Sequence, residues 1–68
     1  MLTEKQLEET IRSADGKLVK YTQQVLMELW GTSGQGTMER ATEFCKQNEF
    51  EKPGYDQEHS VFKFRAHF

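Results

Sequence analysis

The fold of this chain is decided by one stretch near its end, VFKFRAHF, which covers residues 61–68. Apolar residues occupy positions 62, 64, 66 and 68, and basic residues occupy positions 63, 65 and 67. Successive side chains of a β-strand point to opposite faces, so this alternation predicts a strand with one buried face and one exposed, basic face. The rest of the chain must therefore supply an apolar layer that covers the phenylalanines.

A single strand leaves a row of backbone N–H and C=O groups without partners, so this strand needs a neighbour. One candidate is a short strand over 49–52, which would form a hairpin across Pro53 and Gly54. The other candidate is the same strand of a second protomer, because the segment before Pro53 is short. We expect the strand to be the place where the protein meets another chain, either its own copy or a target. The residues of this predicted docking surface are Val61, Lys63, Arg65 and His67.

The beginning of the chain predicts a first helix. Thr3 has the position of an N-cap, and Gln6 stands where it completes a capping box. Leu7 and Ile11 are four residues apart and form a thin apolar stripe, and the helix is expected to end near Ser13.

Two further helices are predicted before the strand. In the segment 17–30 the apolar residues recur at spacings of three and four, which predicts an amphipathic second helix. The glycine-rich segment GTSGQG, residues 31–36, ends it, and Thr37 is expected to cap a third helix through about residue 48. The predicted fold class is α+β, a single small domain over 1–68. Two or three helices cover one face of a C-terminal β-hairpin or of an intermolecular sheet.

Length and composition exclude several classes of protein. The chain has 68 residues, of which 35% are hydrophobic, and this allows one small domain. Its formal charge of −2 creates no global positive field for a polyanion. The single cysteine excludes a disulfide framework and favours a reducing compartment. No apolar run approaches the roughly 18 residues of a membrane span, and the first residues lack the features of a signal peptide. We therefore expect a complete cytosolic protein without a membrane partner.

Few residues could support catalysis or bind a metal. Cys45 falls on the apolar face of the third helix, where cysteine is usually an inert small hydrophobe. A structural zinc site needs four ligands, whereas Cys45, His59 and His67 are the only cysteine and histidines. The segment 31–36 follows a helix rather than a strand and lacks the lysine of a phosphate-binding loop. We expect no catalytic residue, no metal and no cofactor.

Nucleic-acid binding is the strongest specific alternative. The second helix, a glycine-containing connection, the third helix and a β element follow the order of a winged helix-turn-helix. The residues that would contact DNA are Arg40, Lys46, Lys63 and Arg65. Two features count against this alternative: the outer face of the third helix has no net positive charge, and the predicted connection of six residues exceeds the usual three or four.

The sequence therefore favours a small non-catalytic regulator or inhibitor that acts by binding another protein. A homodimer through the C-terminal strand is a further candidate association. The alternative is a small winged-helix-like DNA-binding transcriptional regulator.

Overall fold

The computed structural model describes residues 2–66, which form three helices and one three-stranded antiparallel sheet. In chain order the elements are α1 (Glu4–Ser13), β1 (Val19–Thr22), α2 (Gln23–Trp30), α3 (Gln35–Gln47), β2 (Gly54–Asp56) and β3 (Val61–Phe64). Buried side chains from all three helices join those of the sheet in one core. The predicted α+β class is confirmed.

The strand predicted from the alternating stretch, β3, lies in the middle of the sheet, in the order β1-β3-β2. Phe62 and Phe64 are buried on the inner face, as the alternation predicts. The expectation that the short segment before Pro53 is the one in-chain neighbour of this strand is wrong for 61–64, because β1 pairs with one side and β2 with the other. Residues 67 and 68 of the predicted strand lie outside the described residues.

The second helix is shorter than predicted. Residues 19–22 form β1 instead of the first part of a helix over 17–30. Val19 and Tyr21 are half-buried and alternate with exposed Lys20 and Thr22. β-branched and aromatic residues fit a pleated surface, and pairing with β3 satisfies the backbone groups of both strands. Tertiary pairing therefore outweighs the helical spacing of the apolar residues in this segment.

The neighbour of β3 expected over 49–52 is present only in part. Phe50 forms an isolated bridge with Ala66, and the N–H of Glu51 donates to the carbonyl of Arg65 at 3.0 Å. These bonds keep the chain extended after β3, but they do not make a continuous strand.

The regular pairing resumes at β2, where Gly54 lies opposite Lys63. Between the bridge of Phe50 with Ala66 and the pair of Gly54 with Lys63, the chain advances by four residues on the β2 side but by only three on the β3 side. The β2 side therefore contains one extra residue, as in a β-bulge. Pro53 lies in this irregular segment, where its missing N–H costs no ladder bond. The hairpin turn lies at 57–60 rather than at Pro53 and Gly54.

The third helix begins earlier than predicted. α3 follows Gly34, whose φ of +54° suits glycine, and no side chain caps it. Thr37 is fully buried, and its Oγ1 lies 2.8 Å from the Oγ1 of Thr32, so its predicted role as the N-cap is wrong. The connection between α2 and α3 is consequently the four residues 31–34 rather than six.

The first helix agrees with its prediction. The N–H of Gln6 donates to Thr3 Oγ1 at 3.2 Å, and the N–H of Thr3 donates to Gln6 Oε1 at 3.1 Å, which completes the capping box. Leu7 and Ile11 are both fully buried. Local signals at the helix terminus and a short apolar stripe therefore suffice to place α1.

An aromatic cluster joins the helices to the sheet. Phe44 of α3 lies at its centre, with its ring centroid 6.0 Å from Trp30, 5.9 Å from Phe50 and 6.3 Å from Phe64. Partly buried Trp30 therefore packs against the same core as the phenylalanines of β3, and Phe44 provides the link.

Candidate functional site: the outer sheet face

The helices leave one face of the sheet uncovered. We call it the outer sheet face; its residues are Leu18, Lys20, Thr22, Gly54, Asp56, Val61, Lys63 and Arg65, with Lys52 beside them. Of the four residues predicted to bind a partner, Val61, Lys63 and Arg65 lie here, and His67 lies outside the described residues. The structure adds residues from β1, from β2 and from the segments that precede these two strands to the predicted set.

Lys20 and Lys63 lie directly opposite each other on this face. The N–H of Gln23 donates to the carbonyl of Ser60 at 2.8 Å, and these two residues continue the register of β1 and β3. Along an antiparallel ladder, hydrogen-bonded pairs alternate with non-hydrogen-bonded pairs. Lys20 and Lys63 lie three positions from the hydrogen-bonded pair of Gln23 and Ser60, so they form a non-hydrogen-bonded pair. At such a pair the Cα atoms are only about 4.5 Å apart.

This lysine pair opposes the stability of the sheet, because like charges directly across two strands repel. Within residues 2–66 the ion pairs join Arg12 to Glu8, Arg40 to Glu4 and His59 to Asp56, and none includes a cation of the outer sheet face. Neither ammonium group therefore forms an ion pair with a carboxylate in the part of the chain that the structure describes.

Further cations surround the pair. A shallow groove is lined by Leu18, Glu51, Lys52, Gly54, Lys63 and Arg65. Among these six residues, Glu51 is the only acidic one, and three are cations. A fourth cation, Lys20, lies next to the groove because it is opposite Lys63 in the sheet. The outer sheet face is therefore locally positive on a chain whose formal charge is −2.

Asp56 of β2 also lies on the outer side of the sheet, but its carboxylate forms hydrogen bonds within the hairpin turn. Its Oδ1 accepts the N–H groups of Glu58 at 3.0 Å and His59 at 3.4 Å, and its Oδ2 lies 2.8 Å from His59 Nδ1. The side-chain hydrogen bond with His59 holds the pKa of the Asp56 carboxyl below its ordinary value. This carboxylate consequently stabilises the turn and does not pair with the lysines.

The same turn brings ligand atoms of Asp56, Glu58 and His59 within 4.8 Å of one another, a grouping that the sequence analysis missed. The turn explains this proximity, since Asp56 bonds both of the other residues. Asx-type turns of this kind are common in loops without any ion.

The residues predicted for DNA binding do not share one surface. Arg40 donates to Glu4 Oε2 at 3.5 Å, and the same oxygen accepts the indole N–H of Trp30 at 3.0 Å. Lys46 is exposed in the last turn of α3. Lys63 and Arg65 lie across the sheet, on the face opposite the helices. Arg40 thus lies where α1, α2 and α3 meet, and the four cations are divided between separate parts of the molecule.

Cys45 is buried in the core with an exposed fraction of 1%. Desolvation raises the pKa of its thiol to about 12. A thiol that keeps its proton at neutral pH is a poor nucleophile. The position agrees with the predicted packing role on the apolar face of α3.

We expect the Cys45 thiol to react with a thiol reagent only when the chain unfolds. The unfolded thiol loses its proton near the ordinary value of 9.0, whereas the native thiol keeps its proton to about pH 12. The free energy of unfolding should therefore fall as the pH rises above 9, by at most about 1.4 kcal/mol per pH unit from this group. Cys45→Ala should keep the fold and lose this part of the pH dependence in urea titrations. Rapid labelling of the native protein near pH 8 would contradict the assignment.

Lys52 and Gly54 were missed because the hairpin turn was expected at 53–54, whereas Gly54 belongs to β2. Lys20 was missed because its segment was predicted to be helical, and it joins this face only when β1 pairs with β3. The signal that could have found it is the alternation from Val19 to Thr22, a short repeat of the pattern in β3.

Comparisons of the chain with protein-family models, with curated proteins and with solved structures find no match. None of the helices in residues 2–66 has the length and apolar character needed to cross a membrane. The fold is a small α+β domain in which α2, a four-residue connection, α3 and a β-hairpin follow one another.

Proposed function

We propose that this protein is a small, non-catalytic cytoplasmic regulator or inhibitor that binds a larger protein through the outer sheet face. The observation that carries the proposal is the pair Lys20 and Lys63, which lie opposite each other and form no ion pair within the described chain. Such a pair weakens the sheet. Local features that oppose stability are expected at functional sites, where a partner compensates for them.

The chemistry of the remaining candidates supports binding rather than catalysis. The buried Cys45 thiol has a raised pKa, which makes it a weak nucleophile. The hydrogen bonds of His59 and Asp56 organise the hairpin turn. A surface on which the half-buried Lys63 is surrounded by exposed cations and an exposed leucine is suited to recognition of another chain.

A DNA-binding regulator is the second candidate, and one structural observation favours it. The connection between α2 and α3 has four residues, which is within the usual length for a helix-turn-helix. The charges oppose it: Glu39 and Glu43 accompany Lys46 among the exposed residues of α3, and the hairpin turn carries Glu58. A duplex with one negative charge per about 1.7 Å would be repelled by these carboxylates.

Two double variants separate the candidates. Lys20→Glu with Lys63→Glu reverses the charge of the outer sheet face. Lys5→Glu with Lys46→Glu makes the same change in net charge on the exposed surfaces of α1 and α3. Tagged versions of both proteins and of the unmodified chain would be used for affinity capture from the native host, followed by mass spectrometry and by extraction of bound nucleic acid.

The proposed function requires a protein that is captured by the unmodified chain and by the Lys5/Lys46 variant, and lost with the Lys20/Lys63 variant. DNA binding through α3 requires the opposite result, with nucleic acid lost in the Lys5/Lys46 variant. Capture that is identical for all three proteins would contradict both assignments.

A further inference from the structure

We infer that the occupant of the outer sheet face is an extended acidic segment of the partner protein. This inference rests on the proposed function and names the chemistry of the partner. Carboxylates of the segment would pair with Lys20, Lys63 and Arg65, and an apolar side chain would cover Leu18, which is 49% exposed.

The spacing of the cations fits an extended chain. Lys63 and Arg65 are two residues apart on the same side of an extended backbone, which the bridge at Ala66 continues beyond β3. Such residues are about 6.5–7 Å apart along the strand. Alternate residues of an extended partner segment have the same separation, so carboxylates at positions i and i+2 of the partner match this pair.

Gly54 is the second observation that supports a ligand on this face. Its φ is not positive, so its backbone conformation does not require glycine. A Cβ at this position would lie 3.9 Å from the Cβ of Lys63, which is ordinary van der Waals contact. Gly54 is the first residue of β2 and pairs with Lys63, and a glycine in a sheet often marks a place where another backbone approaches closely. The missing side chain therefore leaves open the part of the groove that adjoins Lys63.

The charge and the apolar content of the face favour an acidic protein segment over a nucleic acid. The cations are few and local, the whole chain is negative, and Glu51 lines the same groove. A phosphate backbone would bring a long run of charge to the acidic parts of the molecule. A segment with two or three carboxylates and one apolar residue matches the local surface without that repulsion.

The first test is a titration of the isotope-labelled protein with a synthetic peptide of about eight residues. The peptide has glutamate at alternate positions and one leucine, and a control peptide has glutamine in place of each glutamate. Amide shifts should concentrate at Lys20, Gly54, Lys63 and Arg65, and the affinity should fall as salt is added. The Lys20/Lys63 charge reversal should weaken binding by about tenfold or more, whereas the Lys5/Lys46 reversal should leave it unchanged.

The second test uses Gly54→Thr, which fills the open part of the groove with a strand-forming residue. The melting temperature should rise by about 3–5 °C, while affinity for the acidic peptide should fall by about tenfold. Gly36→Ala is the matched control, because it also replaces a glycine that has room for a Cβ, but in α3. The control should be stabilised and should bind the peptide like the unmodified chain.

Unchanged peptide affinity in Gly54→Thr would overturn the inference. Tighter binding of a short DNA duplex than of the peptide, with shifts at the same amides, would overturn it in favour of a nucleic acid. Absence of peptide binding together with protein capture that still depends on Lys20 and Lys63 would reject the acidic segment and leave the proposed function standing.

Discussion

Phe64→Ala is expected to leave the chain largely unfolded at room temperature. Phe64 is fully buried in the central strand. Its ring centroid lies 6.3 Å from that of Phe44 and 6.3 Å from that of Tyr21, both in edge-to-face geometry. Truncation of a buried phenylalanine typically costs about 3–5 kcal/mol. A single core of this size rarely supplies more than about 3–5 kcal/mol in total.

Circular dichroism and urea titration would measure the loss, and Trp30 fluorescence would report the state of the core. Arg65→Ala is the control, because Arg65 follows Phe64 in the chain but is exposed. This variant should unfold at nearly the same urea concentration as the unmodified protein. A Phe64→Ala protein with an unchanged melting temperature and a blue-shifted Trp30 emission would show that Phe64 is not part of the central core.

Thr32→Val is expected to destabilise the fold by about 1–3 kcal/mol, although Thr32 lies in a connection. The hydroxyl of Thr37 is fully buried at the start of α3, and its hydrogen-bond partner among the described residues is Thr32 Oγ1, at 2.8 Å. Valine keeps the shape of Thr32 but removes this partner. The cost is that of a buried hydroxyl group that has lost its hydrogen bond.

The double variant with Thr37→Val added should recover most of the lost stability, because it replaces both hydroxyl groups by methyl groups of the same shape. Urea denaturation of the two single variants and the double variant gives the coupling free energy between the residues. A double variant that is less stable than Thr32→Val alone would contradict the assigned pair.

Local sequence determined the elements whose stabilising contacts lie close together in the chain. The capping box of Thr3 and Gln6 involves residues three apart, and the stripe of Leu7 and Ile11 spans one helical turn. The parity of β3 was likewise readable, because alternation separates apolar from basic residues whichever strand lies next to it. The buried face of the sheet, the basic face opposite it and the buried position of Cys45 could therefore be predicted.

Only the tertiary structure decided the identity of the strands that pair with β3. Val19 and Tyr21 are compatible with a helix and with a strand, and the choice depends on backbone groups about 40 residues later in the chain. The start of α3 depends on the positive φ of Gly34 and on the buried contact of Thr37, neither of which has a distinctive local pattern. Lys20 lies opposite Lys63 because of the register in which β1 pairs with β3. The outer sheet face therefore arises from pairing between strands that are far apart in the chain, and the sequence pattern of either strand alone does not give this pairing.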